Sequence, residues 1–293
     1  MTYKAHYPEL DRIVEYPFTD NNSLSHKASE GKVRNLTSAL RVDFSRSTPR
    51  LREQYGQFRL SNRTSSIHRH NRYFVTEIGP GLFPSETHEV NVSLNENSEV
   101  ILASQSATKV HIASEGSHSA IGYRFSVAGG SSLIALQAPT ISYEGSKLIS
   151  TIEVDVEAGS KAIVSELLAK VATTDQSTGS TYVDMMLDIN YGGELAFVDR
   201  VSTCRTPIHD EIASKEAIGG GQEVVGGIYI VGYHYVSHDL LERTSREMAK
   251  ALASVEVSPP TSPTKDITLI RARGSDPYAI EALFSEIAGV LTQ

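Results

Sequence analysis

The chain has 293 residues, with 27 basic and 35 acidic side chains and a net charge of -8. That length holds a sizeable core without staples, and the acidic balance disfavours nucleic acid, whose phosphates need a basic face. A single cysteine, Cys204, excludes an intrachain disulfide and points to a reducing, cytoplasmic setting.

No apolar run reaches the roughly 20 residues of a membrane span. The stretch Met1 to Tyr16 carries Glu9, Asp11 and Glu15 and has no apolar signal-peptide centre. Tryptophan is absent, while tyrosine and β-branched residues are plentiful, which favours strands.

Residues 1–66 are polar and weakly periodic. Turns are expected at Asn21-Asn22-Ser23 and over Ser45 to Pro49, short strands at Ser38 to Phe44 and Gln57 to Leu60, and mobility over 19–32. From Arg72 onward the pattern sharpens. His88, Val90, Val92 and Leu94 alternate with Glu89, Asn91 and Ser93, as in a half-buried strand. A turn at Asn95 to Asn97 leads into the continuous apolar run Val100 to Ala103, which suits a strand covered on both faces.

This unit recurs. Phe125 to Val127 turns at Ala128-Gly129-Gly130 into Ser131 to Leu136. Ile152 to Val156 turns at Glu157-Ala158-Gly159 into Ser160 to Val164. Leu187 to Tyr191 turns at Gly192-Gly193 into Glu194 to Val198. The marks Ser98, Ser131, Ser160 and Gly193 give four units about 30 residues apart, the spacing of stacked supersecondary units that share a core. The expected fold is mainly β: a layered β-sandwich with a solenoid-like body over 67–222. The alternative is an ordinary sandwich with evenly spaced hairpins.

A C-terminal α+β segment, 223–293, follows, packed on that body. It reads as a strand at Ile228 to Tyr235, a helix over Ser237 to Ala253, a stiff loop at Ser258 to Pro263 and a strand at Ile267 to Ile270. A last helix is capped by Asp276-Pro277, with Ile280, Leu283, Phe284, Ile287 and Val290 as its stripe.

Catalytic signatures are absent. Gly219-Gly220-Gly221 lacks the lysine of a phosphate loop, and neither a G-x-S-x-G elbow nor H-E-x-x-H occurs. The chain therefore reads as a non-enzyme. His68 and His70 would share one face of a strand and could form a metal pair, the basis of an alternative reading as a β-sandwich metalloenzyme. Arg63, Arg69 and Arg72 beside them oppose a cation. His234 and His238 straddle a strand–helix junction, and Cys204 with His209 lacks the ligands of a closed site. Glu86 and Glu89 flank His88, and Glu166 and Asp199 stand at strand ends, either lining a polar channel or simply solvated. Ser104-Gln105-Ser106-Ala107-Thr108-Lys109 packs donors and acceptors directly after a buried strand, as a hydrogen-bonded corner would.

That corner, continued by Val110-His111, resembles the S/T-Q-x-A-T-K-[IV]-[YH] signature of the UreD/UreH urease accessory proteins. Gly79-Pro80-Gly81-Leu82 resembles the family's G-P-G-L turn. Ala138-Pro139-Thr140-Ile141 with Tyr143-Glu144-Gly145-Ser146, then Glu166-Leu167, then Val198-Asp199-Arg200 are similar to its later segments in order and spacing over about 75–205. The chain departs from the pattern at Pro84-Ser85, where the family has a glycine before its acidic residue. It departs again at Ala169-Lys170 and Gly179 to Tyr182, where a family arginine and glutamate are missing.

The resemblance implies a mainly β, cytoplasmic assembly factor without a tightly bound cofactor. It implies a UreF-type partner, a UreG-type GTPase reached through it, and docking on the urease structural subunits for nickel insertion, with no nucleic-acid or membrane partner. It also implies transient nickel contact at Glu86, with Gln105, Ser106, Thr108, Lys109, Glu144, Glu166 and Asp199 at the channel or partner surface.

Overall fold

A computed structural model of the chain describes residues 36–61, 65–67, 70–114, 116–171, 181–205, 224–234, 237–252 and 254–292. The expectations for Asn21-Asn22-Ser23, for 19–32, for the His68/His70 pair, for the side chains of Cys204 and His209, and for Gly219-Gly220-Gly221 lie outside the described residues.

The described chain starts with an antiparallel hairpin of β1 (Leu36–Ser45) and β2 (Thr48–Tyr55), turned at Arg46 and Ser47. The short β3 (Phe58–Leu60) and β4 (Ser65–Ile67) both pair with β5 (His70–Glu77). Three crossing units follow: β6 (Thr87–Leu94) with β7 (Glu99–Ser104), β9 (Ser119–Val127) with β10 (Ser132–Leu136), and β12 (Lys147–Val156) with β13 (Lys161–Val171). Between the units lie β8 (Thr108–Val110) and β11 (Thr140–Tyr143). Next come β14 (Thr181–Tyr191), β15 (Glu194–Arg205), β16 (Val224–Val231), α1 (His238–Leu252), β17 (Val255–Val257), β18 (Thr261–Thr264), β19 (Ile267–Gly274) and α2 (Pro277–Val290).

Among the described residues, these strands make two sheets. A 7-stranded sheet runs β15-β14-β12-β9-β6-β1-β2. A 12-stranded sheet runs β17-β19-β16-β13-β10-β7-β5-β3, with β4, β8, β11 and β18 off that path. Each crossing unit puts its first strand in the smaller sheet and its second in the larger. Successive units stack in parallel with the same sequence offset in both sheets. Thr87 is as far along the chain from its partner Ala120 as Glu99 is from its partner Ser132. In the next unit, Ser119 and Leu148 have the same separation as Ser132 and Lys161. The result is the solenoid-like sandwich expected from the repeats.

The turns explain the repeated Gly/Asn–Ser mark. Asn97, Gly130 and Gly159 adopt positive φ (58°, 70° and 83°), where glycine is unstrained and asparagine is tolerated. Ser98, Ser131 and Ser160 follow them and are almost fully buried. The Ser131 hydroxyl accepts from the Ser98 amide (3.0 Å) and donates to the Asn95 carbonyl (2.9 Å), and Ser160 Oγ donates to the Ala128 carbonyl (2.8 Å). Each serine thus satisfies backbone groups that the crossing turn leaves unpaired.

The fourth unit differs. β15 folds back antiparallel on β14 within the smaller sheet instead of crossing, so Leu195 and Val198 are exposed rather than covered. The expectation of a fourth crossing unit with an apolar second strand is corrected. Gly192 and Gly193 both have positive φ and form a tight hairpin, and no serine follows to satisfy a crossing turn.

Between the sheets the alternating residues meet. Val90, Val92 and Leu94 face Leu102, Leu133 and Val164 in one apolar layer. Slipping β6 by one residue would turn those three outward, at about 1.5–3 kcal/mol each, so burial fixes its register. The other face of the larger sheet carries Ile101, Ile134, Ile163, Ile228 and Ile270, covered by Ile280, Leu283, Phe284 and Ile287 of α2 and Leu241 of α1. The α2 cap is as expected: Asp276 accepts from the Tyr278 amide (2.9 Å), with Pro277 opening the helix. The expected loop at Ser258 to Pro263 is in part a strand. β18 pairs with β19 at the sheet margin, where Pro263 needs no amide partner. The hairpin strand β2 has no counterpart among the expected elements, since its sequence TPRLREQY has no alternation and it lies half-exposed at an edge.

Because the Ser131 hydroxyl serves two backbone groups, Ser131→Ala should destabilise the chain by about 1–3 kcal/mol. Urea denaturation would show a lower midpoint with an unchanged slope.

Candidate functional site

The Gly-Pro-Gly-Leu turn and the Ala-Thr-Lys corner, distant in sequence, are zipped together. The Leu82 amide donates to the Lys109 carbonyl (2.7 Å), and the His111 amide donates to the Leu82 carbonyl (2.9 Å). Gly81 is essential to this approach, since a Cβ there would lie 2.3 Å from the Lys109 carbonyl oxygen. Gln57 clamps the turn from the β2–β3 connection, its Nε2 donating to the Gly81 carbonyl (2.9 Å). Phe83 stacks on His111 with ring centroids 4.3 Å apart, and Ile78, Phe83 and Ile112 are exposed around the junction.

The corner faces a polar cluster inside the sandwich. Thr108 Oγ1 donates to Glu77 Oε2 (2.8 Å), and Ser106 Oγ reaches the Glu77 carbonyl (3.5 Å). Glu77, Ser106 and Thr108 line a cavity of about 20 Å³ with Tyr123, Phe58 and Gln137. Burial pushes the Glu77 carboxyl above the ordinary carboxylate range, with the Thr108 hydrogen bond working against it and the Glu86 charge adding to it. Burial also raises the Tyr123 phenol, and the Glu77 charge adds to that rise.

His88 completes the cluster and is fully buried. Its Nδ1 lies 3.7 Å from Glu77 Oε1 and its Nε2 lies 3.8 Å from Glu86 Oε2, with Phe58 set edge-on to the ring. Burial lowers its pKa to about 4, so the imidazole is neutral at pH 7. Glu86 has a local role as well, because its Oε2 accepts from the Phe83 amide (2.9 Å) and closes the turn.

A second cluster lies under the C-terminal strands. Glu166 shares its parity on β13 with the core residues Ala162, Val164 and Leu168, so it points between the sheets. The Tyr229 hydroxyl sits 2.6 Å from Glu166 Oε1 and 2.5 Å from Asp199 Oδ2, and Arg271 pairs with Asp199. One hydroxyl supplies one proton, so Tyr229 can donate to only one carboxyl. Burial, partly countered by the Tyr229 hydrogen bond, pushes the Glu166 carboxyl up to about 7. The Tyr229 hydroxyl therefore donates to Glu166 or to Asp199; near neutral pH Glu166 is protonated in part, and in that form its own proton can face the Tyr229 oxygen while Tyr229 donates to Asp199.

Gly227 makes room for this arrangement, since a Cβ there would meet the Tyr229 hydroxyl at 2.9 Å. Arg271 also lines a groove of about 570 Å³ with Arg200, Arg273 and Glu256, at the margin between β15 and β19. On the outer face of the smaller sheet, Arg200 grips Asp184 through two hydrogen bonds of 2.7 Å.

The sequence-derived residues thus fall into two clusters. Glu86, Ser106 and Thr108 join Glu77 and His88; Glu166 and Asp199 join Tyr229 and Arg271. Gln105 stands outside both, its Oε1 accepting from Thr76 (2.6 Å). Lys109 contributes its backbone to the zipper, while its side chain is exposed. Glu144 is half-buried in the β11–β12 turn. His234 and His238 are not a pair: His234 Nε2 lies 3.3 Å from the Tyr191 hydroxyl, and His238 Nε2 lies 2.7 Å from Ser262 Oγ. Among the described residues, no three His, Cys, Asp or Glu side chains converge as a closed metal cage would, and no helix is long and apolar enough to cross a membrane.

The sequence pattern alone does not single out Glu77, Tyr229 or Arg271. The signal for His88 and Glu77 is a polar residue at buried parity, in line with Val90 and Val92 and with Tyr73 and Val75.

This mainly β fold, with the two motif arms zipped at one end of the sandwich, belongs to the UreD urease accessory protein family, whose sequence model matches residues 36–293. The chain is 31% identical over 128 residues to the urease accessory protein UreD of Acetivibrio thermocellus, covering 43% of this chain and 48% of that protein. It is 27% identical over 143 residues to urease accessory protein UreD 1 of Methylobacterium radiotolerans, covering 48% of each. The chain spans about half the length of the curated relatives it matches.

Glu166 titrates higher when folded than the usual glutamate value of 4.5. Its contribution to stability is therefore fully present below about pH 4.5 and is lost as pH rises through about 7, a change on the order of 3 kcal/mol. Glu166→Gln keeps a donor toward Tyr229 and should flatten that stretch of the stability–pH curve, as read by chemical denaturation at stepped pH.

Proposed function

We propose that this chain is an assembly factor for urease and is not itself an enzyme. In this reading it associates with a UreF-type partner, reaches a UreG-type GTPase through that partner, and docks on apo-urease while nickel is inserted. The observation that carries the reading is the family match over the described chain, together with the zipped turn and corner that resemble the family's motifs.

Two kinds of residue support it. The exposed apolar residues Ile78, Phe83 and Ile112 around the zipper suit a protein partner. Carboxylates directed into the sandwich suit a passing cation. Nickel would be cargo in transit, and Glu86, at 26% side-chain exposure, lies where a cation would pass from the surface to the interior. Imidazole and carboxylate are suitable ligands for such an ion. The compartment of this reading is the cytoplasm.

Co-purification with the urease structural subunits and a UreF-type protein is the direct test. No association, with unchanged nickel content of urease when the chain is deleted, would defeat the assembly reading. Glu86→Ala should lower urease activation while leaving the fold intact. Glu86→Gln, which still accepts from the Phe83 amide, separates charge from turn closure. Full activation by both variants would remove Glu86 from the cation path.

A further inference from the structure

Both sheets end in free strand edges, and all but one of these are blunted. Among the described residues, β2 closes one side of the smaller sheet with Pro49, Arg50 and Arg52. The margins of the larger sheet are short strands: β3, β4 and β17 have three residues each, and β18 has four, including Pro263. Proline, charge and shortness keep an edge from pairing with another chain. The exception is β15. It runs for 12 residues, pairs only with β14 among the described residues, and contains neither proline nor lysine. Its central charges are turned back into the protein, since Asp199 pairs with Arg271 and Arg200 with Asp184 on β14. Leu195 and Val198 are exposed on the same strand.

The backbone of β15 is oriented to receive a strand. The Arg200 amide donates to Asp199 Oδ1 (2.9 Å) and not to β14. Amides alternate in direction along an antiparallel strand, so Val198, Arg200 and Ser202 present theirs on the free side, while Asp199 and Val201 bond to β14. On that side lies the groove of about 570 Å³, with Arg200 on the near wall and Arg271, Arg273 and Glu256 on the far one. In a chain of net charge -8, three arginines around one groove are a local reversal of sign. Their carboxylate partners do not exhaust them, because a guanidinium has five N–H donors and one carboxylate takes two. The Arg273–Glu256 pair is about half-exposed at both ends, so it exchanges readily for a carboxylate from outside.

We propose that the free edge of β15 and this groove form a docking site for an extended, acidic segment of a partner protein, which adds one more strand to the smaller sheet. Its backbone pairs with Val198, Arg200 and Ser202, which supplies affinity without regard to sequence. Its Asp or Glu side chains meet Arg271 and Arg273, which supplies the preference for acid. The site shares no residue with the Glu77–His88 cluster, and it stands whether or not the partner belongs to urease assembly.

The test uses the full-length chain and a fluorescent, capped peptide of about eight residues in which Glu alternates with Val, beside the same peptide with Lys for Glu. Anisotropy should show binding of the acidic peptide, and binding of the basic one weaker by about tenfold or more. Hydrogen exchange at Val198 and Ser202 should be fast in the chain alone and slowed by the acidic peptide. Ser202→Pro removes a free-side donor without breaking a bond to β14, and should weaken the peptide by about tenfold. Ser202→Ala keeps the amide and should bind as the unaltered chain does. If Ser202→Pro does not fold, Arg273→Gln on the far wall carries the test and should weaken the acidic peptide severalfold. No binding of the acidic peptide, equal binding of both peptides, or unchanged affinity in either of these two variants would overturn the site. So would slow exchange at Val198 and Ser202 in the chain alone, which means that the chain itself fills the edge. A dimer that Ser202→Pro dissociates would make a second copy the occupant and overturn the acidic partner.

Discussion

The structure depends on one constraint: a strand that leaves the smaller sheet must enter the larger one within a few residues, at the same offset from its neighbour in both sheets. A left-handed residue makes the turn, and a buried serine satisfies the backbone groups the turn strands. Asn97-Ser98, Gly130-Ser131 and Gly159-Ser160 repeat that solution. Since Ser131 bonds to two backbone groups of the preceding turn region, the coils are tied edge to edge. The equal offsets then bring the alternating apolar residues into one layer without local adjustment.

Parity does the rest. Once Val90, Val92 and Leu94 face inward, His88 on the same strand must do so too. Once Val164 and Leu168 face inward, so must Glu166. The polar residues of the interior are thus placed by the same periodicity that builds the core. The penalty for burying them is what gives them unusual chemistry. Apolar residues at those positions would pack as well, so the sandwich itself does not require them.

Much of this is legible in the chain. Alternation, turn residues and the regular spacing of the units are local signals, and they are enough to place the three crossing units and both helices. The reversal at the fourth unit has a local mark as well: Gly193 stands where the other turns carry serine. Gly192-Gly193 nevertheless resembles one more crossing turn, because a glycine pair suits either outcome. The clusters are less visible. Tyr229 meets Glu166 across 63 positions and Arg271 meets Asp199 across 72, and no short window contains both members. Only the register of β16 and β19 on β13, which pairs Glu166 with Gly227 and Gly227 with Arg271, brings them together. The Ala-Thr-Lys corner is recognisable as a motif, but its counterpart Glu77 is not, since it stands as a single carboxylate at the end of a strand and no local pattern marks its partner.

Three carboxyl groups in one sandwich show three ways of removing a buried charge. Asp199 has Arg271 as a counter-ion. Glu166 is pushed up to about 7 by burial, so near neutral pH it loses its charge in part by taking up a proton. Glu77 has a hydroxyl donor at one oxygen and a neutral imidazole near the other, and no basic side chain lowers its pKa. A hydroxyl donor offsets only part of the cost of burying a carboxylate, because it supplies a dipole and no charge. The remainder must be met from outside the protein, by a proton or by a cation. A proton on Glu77 Oε1 would face the Nδ1 side of the neutral His88 ring. Glu166, by contrast, shares the Tyr229 hydroxyl with Asp199, and its Oε2 is buried without a partner among the described residues, so a shared hydroxyl there does the work that Thr108 does for Glu77.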